Sequence, residues 1–482
     1  MKKNYQKRVL ALLLFLLPSV KVFASDGDHG DPFASIFMAL AIILICALTG
    51  RFLANKLKQS TVLGELVMGI ILGTILVEMD RPVIHLIRNQ EVVSEVVSAI
   101  ETKNISLAES LGQTLSESTL SADQKATLGN ILSSGNASPY INLVKYIQLF
   151  SAIGISMLLF MVGLEGSIQD LLSVGVKAIL VAVLGISFTL GLGYLTLKLL
   201  LTVSADPRLS FFGAATICST SAGITARVLK DLNKLTTAEA KITMGAAVFD
   251  DILGLILLAV LANVMVPGEL DMITVGWIII KIVLFLVFVF FFGLKILPRI
   301  IPAIEKLDPK NIRLLLPFIL MLALCYLANA IGLAMIIGAY FAGLMITDDM
   351  FSSRTGEKQS TIESLIAPIE GIFVPVFFVL MGMQVDITLL ADIYVIGLGL
   401  ALSLAAILGK LVAGIFLPAS FRKIAVGWGM VPRGEVVLIF ASIGKTMGII
   451  SPQFYAATVV VILITILVSP LALMKSYQQI KD

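Results

Sequence analysis

The chain has 482 residues, of which 58% are hydrophobic and only 14% are charged. Soluble domains carry about 25% charged residues, so this composition predicts an integral membrane protein and excludes an ordinary soluble domain. The net charge of +3, with no basic stripe along the chain, argues against a nucleic-acid partner. The cysteines all fall inside apolar runs, which predicts buried free thiols rather than a disulfide framework.

The first segment is typical of a signal peptide. Basic residues at 1–8 precede an apolar run at 9–17, and the small residues Val22 and Ala24 stand where cleavage before Ser25 requires them. We therefore expect a signal peptide over 1–24 and a mature chain over 25–482 that begins outside the cytoplasm. An uncleaved signal anchor is the alternative.

Thirteen apolar stretches after the signal are long enough to cross about 30 Å of hydrocarbon. Their limits are 34–53, 62–79, 142–163, 175–201, 209–229, 238–264, 273–296, 314–330, 332–347, 362–384, 392–417, 424–447 and 453–474. With the N-terminus outside, most basic loop residues face the cytoplasm, and the C-terminus lies inside.

A weak internal duplication relates the two halves of the chain. Residues 160–165 resemble 379–384 at an offset of 219, and the three following spans recur at offsets near 215. Residues 64–69 resemble 338–343 at an offset of 274. The larger offset reflects a polar insertion at 80–140, interpreted as a periplasmic loop with one or two helices rather than a regulatory domain.

Each copy of the duplication has six spans, and one linker span lies between the copies. Because seven spans separate the start of one copy from the start of the other, the two copies have opposite orientations in the membrane. Inverted repeats are the architecture of secondary transporters, which bind their substrate near the midplane. The fold class predicted is therefore an all-α membrane protein of about thirteen transmembrane helices in two inverted six-helix repeats.

Two adjacent aspartates, Asp250 and Asp251, lie in the middle of the apolar run 242–259. Placing one ionisable group at the bilayer centre costs at least ~2.5–3.5 kcal/mol of free energy. The commonest explanation for two such groups in tandem is that they bind a cation or a proton. The two carboxylates are the predicted site for a monovalent cation.

The preceding span contains Ser219, Thr220, Ser221 and Gly223 where a lipid-facing helix would carry leucines. Such a helix can unwind where protein or water satisfies its backbone, and its carbonyl and hydroxyl oxygens suit a hard cation. We expect Ser219 and Thr220 to contribute to the cation site. A packing face of small residues is the alternative.

The matching span in the second half contains Pro432 and Gly434, which predict a second break. Crossed broken helices leave opposed helix dipoles that charged side chains neutralise. Arg433 and Glu435 suit that role, and could also pair with each other; direct ligation of the ion is the alternative. Lys410 lies inside another apolar span and is predicted to pair with Asp250 or Asp251 rather than to snorkel to the interface.

Other residues are weaker candidates. Glu65 and Glu165 lie near the ends of their spans and are interpreted as structural or gating residues, and His29 as part of a solvated terminus. No phosphate-binding loop, dinucleotide fingerprint, nucleophile elbow or zinc pattern is present in the sequence. We expect neither enzymatic activity nor a cofactor.

These motifs together resemble the monovalent cation:proton antiporter superfamily, in the branch shared by bacterial Na⁺/H⁺ exchangers and Kef-type potassium efflux systems. The resembling segments are 61–66, 160–165, 220–229, 249–251, 409–410 and 432–436. The resemblance implies crossed discontinuous helices, a homodimer in the bacterial inner membrane, and Asp251 as the essential carboxylate with Asp250 beside it. It also implies electrogenic exchange, because members with an Asp-Asp pair and a lysine at the position of Lys410 tend to be electrogenic.

The function predicted is exchange of a monovalent cation, Na⁺ before K⁺ or Li⁺, for protons across the lipid membrane. A potassium/proton antiporter of Kef type is one alternative. A gated cation channel or a Na⁺-coupled symporter would belong to a different class of protein.

Overall fold

A computed structural model describes most of the chain, and every element of regular structure within the described part is helical. The described residues are 33–57, 61–89, 92–93, 96, 110, 114, 122–133, 137–164, 168–200, 207–265, 272–306, 311–333, 335–351, 361–385, 387, 392–434, 436–437, 440–441, 444 and 449–478. The predicted signal peptide, His29, Glu165 and Glu435 lie outside them.

The helices follow the order of the predicted spans. They are α1 Ala34–Lys56, α2 Thr61–Glu78, α3 Pro82–Arg88, α4 Ala122–Ser133, α5 Ala137–Leu164, α6 Ile168–Leu200, α7 Pro207–Thr216, α8 Ala222–Asp231, α9 Ala238–Met265, α10 Met272–Phe291, α11 Leu297–Ile304, α12 Ile312–Ala330, α13 Met335–Met345, α14 Ile362–Met383, α15 Ile393–Ile415, α16 Lys423–Gly429 and α17 Pro452–Gln478. A π-helical turn, Phe292–Ile296, joins α10 to α11.

Nine of the described helices are long and apolar enough to cross a membrane. The predicted all-α membrane class is confirmed, whereas the count of thirteen is not established. Breaks divide the predicted spans at 209–229 and 424–447, and α13 has only 11 residues. The broken spans leave half-helices of seven to ten residues, which are too short to cross hydrocarbon alone.

The chain divides into two compact units. The first unit comprises residues 1–154, 372–392 and 445–448, and the second comprises 155–371, 393–444 and 449–482. All residues of the candidate site that the structure describes belong to the second unit.

In the first unit the predicted insertion is part of the hydrophobic core. Helix α3 buries Val83, Ile84, Leu86 and Ile87 in a cluster that also contains residues of α1, α2, α4, α5 and α14. Arg88 donates from Nη2 to the carbonyl oxygen of Val385 at 2.8 Å, just beyond the C-terminal end of α14. Helices α3 and α4 both lie within 80–140 and both contribute buried residues to this core, whereas the periplasmic location of the insertion stays a prediction.

Glu65 on α2 is fully buried and forms an ion pair with Arg51 on α1. Gly50 and Gly64 lie where these two helices cross, and a Cβ atom on either would overlap the backbone of the other. This close crossing brings the two charged side chains together. A structural role for Glu65 fits its position.

Contacts between helices recur at the offsets of the sequence duplication. A Cβ on Gly64 would overlap the carbonyl oxygen of Gly50, and a Cβ on Gly338 would overlap that of Leu324. Both residues of the second contact lie 274 positions after those of the first. The same pair of helices therefore packs in the same way in each copy.

A second glycine contact recurs in the same manner. Gly69 and Gly382 approach closely in the first unit, and Gly343 and Gly163 do so in the second. Gly343 follows Gly69 by 274 residues, and Gly382 follows Gly163 by 219. Each contact thus maps onto the other when the two copies are exchanged, which supports the predicted duplication.

Replacement of Gly163 by alanine is expected to lower the stability of the folded protein, because the new methyl group would meet the backbone of Tyr340. Overpacking of this kind costs about 1–3 kcal/mol. Thermal melting of the purified protein in detergent measures the change. Gly191→Ala is the control, because nothing lies within 4 Å of a Cβ there; equal melting temperatures for both variants would contradict the packing argument.

Candidate cation site at two broken helices

The first break separates α7 from α8 at residues 217–221. The segment Ser219-Thr-Ser221 is buried, so its backbone polar groups need protein partners. Ser221 donates its backbone N–H to the carbonyl oxygen of Pro432 at 2.8 Å. The first break is therefore tied to the second.

The second break follows α16 and occupies residues 430–434. Proline at 432 lacks a backbone N–H and cannot continue the helical hydrogen-bond ladder. The break occurs 213 residues after the first one. The predicted pair of discontinuous helices is present in the structure.

The two breaks exchange equivalent hydrogen bonds. Thr220 Oγ1 donates to the carbonyl oxygen of Met430 at 2.9 Å. Arg433 Nε donates to the carbonyl oxygen of Ile217 at 2.8 Å. Because 430 follows 217 and 433 follows 220 by 213 residues, each bond is the counterpart of the other. Thr220 and Arg433 are therefore equivalent positions in the two copies, and each donates a side-chain hydrogen bond to a carbonyl of the other break.

Arg433 is a buried cation held mainly by backbone carbonyls. Its Nη1 lies 2.9 Å from the oxygen of Met430 and 3.0 Å from that of Val431, and Nη2 lies 3.4 Å from that of Ala406. Carbonyls at the end of a helix carry partial negative charge. The guanidinium therefore satisfies several carbonyls at this crossing, and its compensation of helix dipoles stays a prediction.

The aspartates of α9 lie against the first break. Asp250 is fully buried and accepts the backbone N–H of Thr220 at 2.8 Å. Asp251 is 5% exposed, and the hydroxyl of Ser219 donates to its Oδ1 at 3.3 Å. Adjacent residues point about 100° apart on a helix. The two carboxylates consequently meet different residues of one break.

Lys410 on α15 forms an ion pair with Asp250, one of its two predicted partners. Its Nζ lies 2.6 Å from Asp250 Oδ1, and both side chains are fully buried. Gly185 on α6 makes room for the lysine, because a Cβ there would lie 3.2 Å from Nζ. The ion pair takes up one oxygen of Asp250, and the N–H of Thr220 takes up the other.

The structure brings together six of the predicted site residues: Ser219, Thr220, Asp250, Asp251, Lys410 and Arg433. The seventh, Glu435, is outside the described residues. Their roles in ion binding stay predictions, since their proximity alone does not show which of them binds a cation.

Sequence reasoning missed two residues at the crossing. Thr465 on α17 accepts the backbone N–H of Arg433 at 3.2 Å, the counterpart of the Thr220–Asp250 contact. Gly185 provides space for Lys410. The duplication offset near 215 is a signal that could have located Thr465, whereas a single glycine among 38 carries none.

The four charged side chains of the site balance one another. With both aspartates ionised, two negative charges face the two positive charges of Lys410 and Arg433. A balanced set of buried charges can accept a cation if a proton leaves in exchange. The arrangement can therefore bind a cation and protons alternately.

Comparison with known proteins decides the family. Residues 40–474 match the family model described as sodium/hydrogen exchanger, transmembrane. The chain belongs to this family. The predicted resemblance to the monovalent cation:proton antiporter superfamily is confirmed, and the chain is a multi-pass membrane protein of a family of transporters.

Two curated relatives carry the names of antiporters. The chain is 30% identical over 450 residues to the high-affinity Na⁺/H⁺ antiporter NhaS3 of Synechocystis, covering 91% of this chain and 88% of the relative. It is 32% identical over 332 residues to a Na⁺/H⁺ antiporter of Enterococcus hirae, covering 67% and 83% respectively.

The fold also resembles a solved structure. The sodium proton antiporter MjNhaP1 of Methanocaldococcus jannaschii superposes with a TM-score of 0.51 at 15% identity, covering 94% of this chain and all of the other. At this identity the likeness concerns the fold alone.

Arg433→Lys is expected to destabilise the protein by about 3 kcal/mol or more, because an ammonium group cannot reproduce the planar set of bonds to several carbonyls. The melting temperature in detergent measures the loss. Arg299→Lys, on the exposed part of α11, is the matched control. A melting temperature equal to that of the control would show that Arg433 does not hold the crossing together.

Proposed function

We propose that the protein exchanges Na⁺ for protons across the membrane, using Asp251 and Asp250 as the ion-binding carboxylates. The observation that carries the proposal is the buried pair of aspartates at two crossed helix breaks, with Lys410 bound to one of them at 2.6 Å. Membership of the sodium/hydrogen exchanger family and the names of two relatives support it.

In the proton-loaded state, Asp251 is protonated and Lys410 is charged. The ammonium of Lys410 neutralises Asp250, so neither carboxylate offers an uncompensated charge to a cation. Arg433 stays on the carbonyls of the breaks in every state. The net charge of these four side chains is then one positive unit.

In the cation-loaded state, Na⁺ takes the place of both protons. Asp251 releases its proton and Lys410 releases its own, which frees the Asp250 oxygen that the ammonium held. Carboxylate, hydroxyl and carbonyl oxygens are suitable ligands for a hard cation, and Ser219 and Thr220 supply them beside the two aspartates. The net charge of the loaded site is then zero.

Two protons therefore leave for each Na⁺ that enters the site. The exchange moves one surplus charge across the membrane, which is worth about 2.3 kcal/mol per 100 mV. Exclusive occupancy by protons or by Na⁺ couples the two gradients, and the membrane potential can drive Na⁺ outward.

We infer a homodimer in a bacterial cytoplasmic membrane, with a cleaved signal peptide and the C-terminus in the cytoplasm. The positive-inside pattern of the basic loops supports this orientation. The resemblance to the antiporter superfamily supports the dimer.

Asp251→Asn is expected to abolish cation-evoked proton movement, because the amide can neither release a proton nor neutralise Na⁺. The measurement is the internal pH of proteoliposomes after separate pulses of Na⁺, Li⁺ and K⁺, which also names the preferred ion. The exposed Asp349→Asn serves as the control. Full exchange in the Asp251 variant would rule out this residue as the essential carboxylate.

The same vesicles distinguish the competing classes. A gated channel would show cation flux without proton coupling, and single-channel conductance in planar bilayers. A symporter for an organic solute would give no pH change with any cation alone.

Lys410→Gln is expected to retain exchange but to lose its dependence on voltage, because only one proton then leaves for each Na⁺. Exchange rates measured at clamped potentials of zero and about −100 mV test this expectation, since one charge crossing that potential is worth about 2.3 kcal/mol. Voltage dependence equal to that of the parent protein would remove Lys410 from the proton count.

A further inference from the structure

Four charged side chains form a cluster away from the cation site, where α8 meets the first half of α14. Lys230 Nζ lies 2.8 Å from Glu370 Oε2, and Arg227 Nη1 lies 3.7 Å from Glu370 Oε1. Asp231 Oδ1 lies 3.3 Å from Arg227 Nε, and the two side chains form an ion pair. Glu370 is 4% exposed, so its charge depends on these two cations.

The cluster is connected to the site through a short helix. Helix α8 begins directly after the first break and reaches Lys230 within its ten residues. Glu370 is the only charged residue between 364 and 383, in an otherwise apolar helix. A charge in such a helix is costly and is usually retained for function.

The cluster has no counterpart in the other copy of the duplication. At the offset of 219, Glu370 corresponds to Ser151. At the offset of 213, Arg227, Lys230 and Asp231 correspond to Phe440, Ile443 and Gly444. The uncharged residues at these positions cannot form an ion pair. By contrast, the glycine contacts and the hydrogen bonds of Thr220 and Arg433 occur in both copies.

This asymmetry has a consequence for alternating access. In transporters built from inverted repeats, one repeat rocks against the other, and the substrate site becomes accessible first from one side of the membrane and then from the other. The two copies exchange their conformations in this movement. Contacts present in both copies are expected in both access states. A contact present in one copy alone is expected in one state and broken in the other.

We propose that Glu370, Lys230 and Arg227 form an ionic latch between α8 and α14 that is closed in this structure and opens when the site turns to the other side of the membrane. The proposal rests on the exchange function proposed above. The three residues act as positioning residues, because they set the balance between the two access states and do not bind the transported ion.

Glu370→Gln is expected to shift that balance away from the latched state. A shift in population strengthens apparent binding from one side and weakens it from the other. The KM for Na⁺ should therefore move in opposite directions in right-side-out and everted membrane vesicles, by about fivefold or more. Glu363→Gln, on the exposed first turn of the same helix, is the control.

A charge swap tests whether the pair itself matters. The double variant Lys230→Glu with Glu370→Lys should return both KM values toward those of the parent protein. KM values that move in the same direction on both sides, in Glu370→Gln, would overturn the latch. The latch would also be overturned if Glu370→Gln lowered the melting temperature and left both KM values unchanged.

Cross-linking tests whether the latch opens. The double variant Lys230→Cys with Glu370→Cys is joined by a short, reducible bifunctional thiosulfonate, and proton movement is followed in proteoliposomes. Exchange should stop when the link forms and return when it is reduced. The two single-cysteine variants and the parent protein, whose three cysteines are buried, control for effects of the reagent.

Unchanged exchange in the cross-linked protein would show that exchange does not require the two helices to separate, which overturns the proposal. Failure of the exchange function itself would appear differently. The untreated parent protein would then show no proton movement on addition of Na⁺, Li⁺ or K⁺.

Discussion

The structure depends on the satisfaction of backbone polar groups at two helix breaks that lie within apolar surroundings. Unpaired carbonyl and N–H groups are tolerated at membrane depth only where protein or a water-filled cavity satisfies them. Here each break provides partners for the other, through Ser221 and Pro432 and through Thr220 and Met430. Arg433 supplies the remaining donors.

The candidate cation site follows from the same arrangement. Unwinding the first helix exposes the N–H of Thr220 and the hydroxyl of Ser219, and these groups orient the two aspartates of α9. Lys410 then pairs with Asp250, and Arg433 contributes a second buried positive charge at the crossing of the two breaks. In the proposed cycle two protons leave when one Na⁺ enters, so the four side chains and any bound Na⁺ together carry one positive charge in the proton-loaded state and none in the cation-loaded state. In the proposed cycle, the four side chains that balance the buried charge also carry out the exchange.

Much of this site could be predicted from the sequence. Two adjacent aspartates in an apolar run, a lysine in another, and polar or proline residues inside two spans are all too costly in a membrane to be incidental. The sequence could not predict that Lys410 pairs with Asp250 rather than with Asp251, because the pairing depends on the rotation of α9 and α15 about their axes. The partners of Arg433 could not be predicted either, since backbone carbonyls leave no mark in a sequence.

The fold was predictable to a similar extent. The duplication offsets of 274 and 219 anticipate the recurring glycine contacts, but the sequence does not say which glycines meet. For the insertion at 80–140 the sequence predicts a periplasmic loop with one or two helices. The burial of Val83 and Ile84 in the core could not be predicted, because a seven-residue helix gives too little periodicity to show which of its faces are packed.

The core of the first unit has a consequence for biogenesis. It joins residues from Ile36 on α1 to Met383 on α14, so that nearly 350 residues of chain separate its two ends. At about 5–20 residues per second, synthesis of this length takes some tens of seconds. During that time α1, α2 and the helices of the insertion have only part of their final neighbours. The core of the first unit can therefore be completed only after α14 has been synthesised.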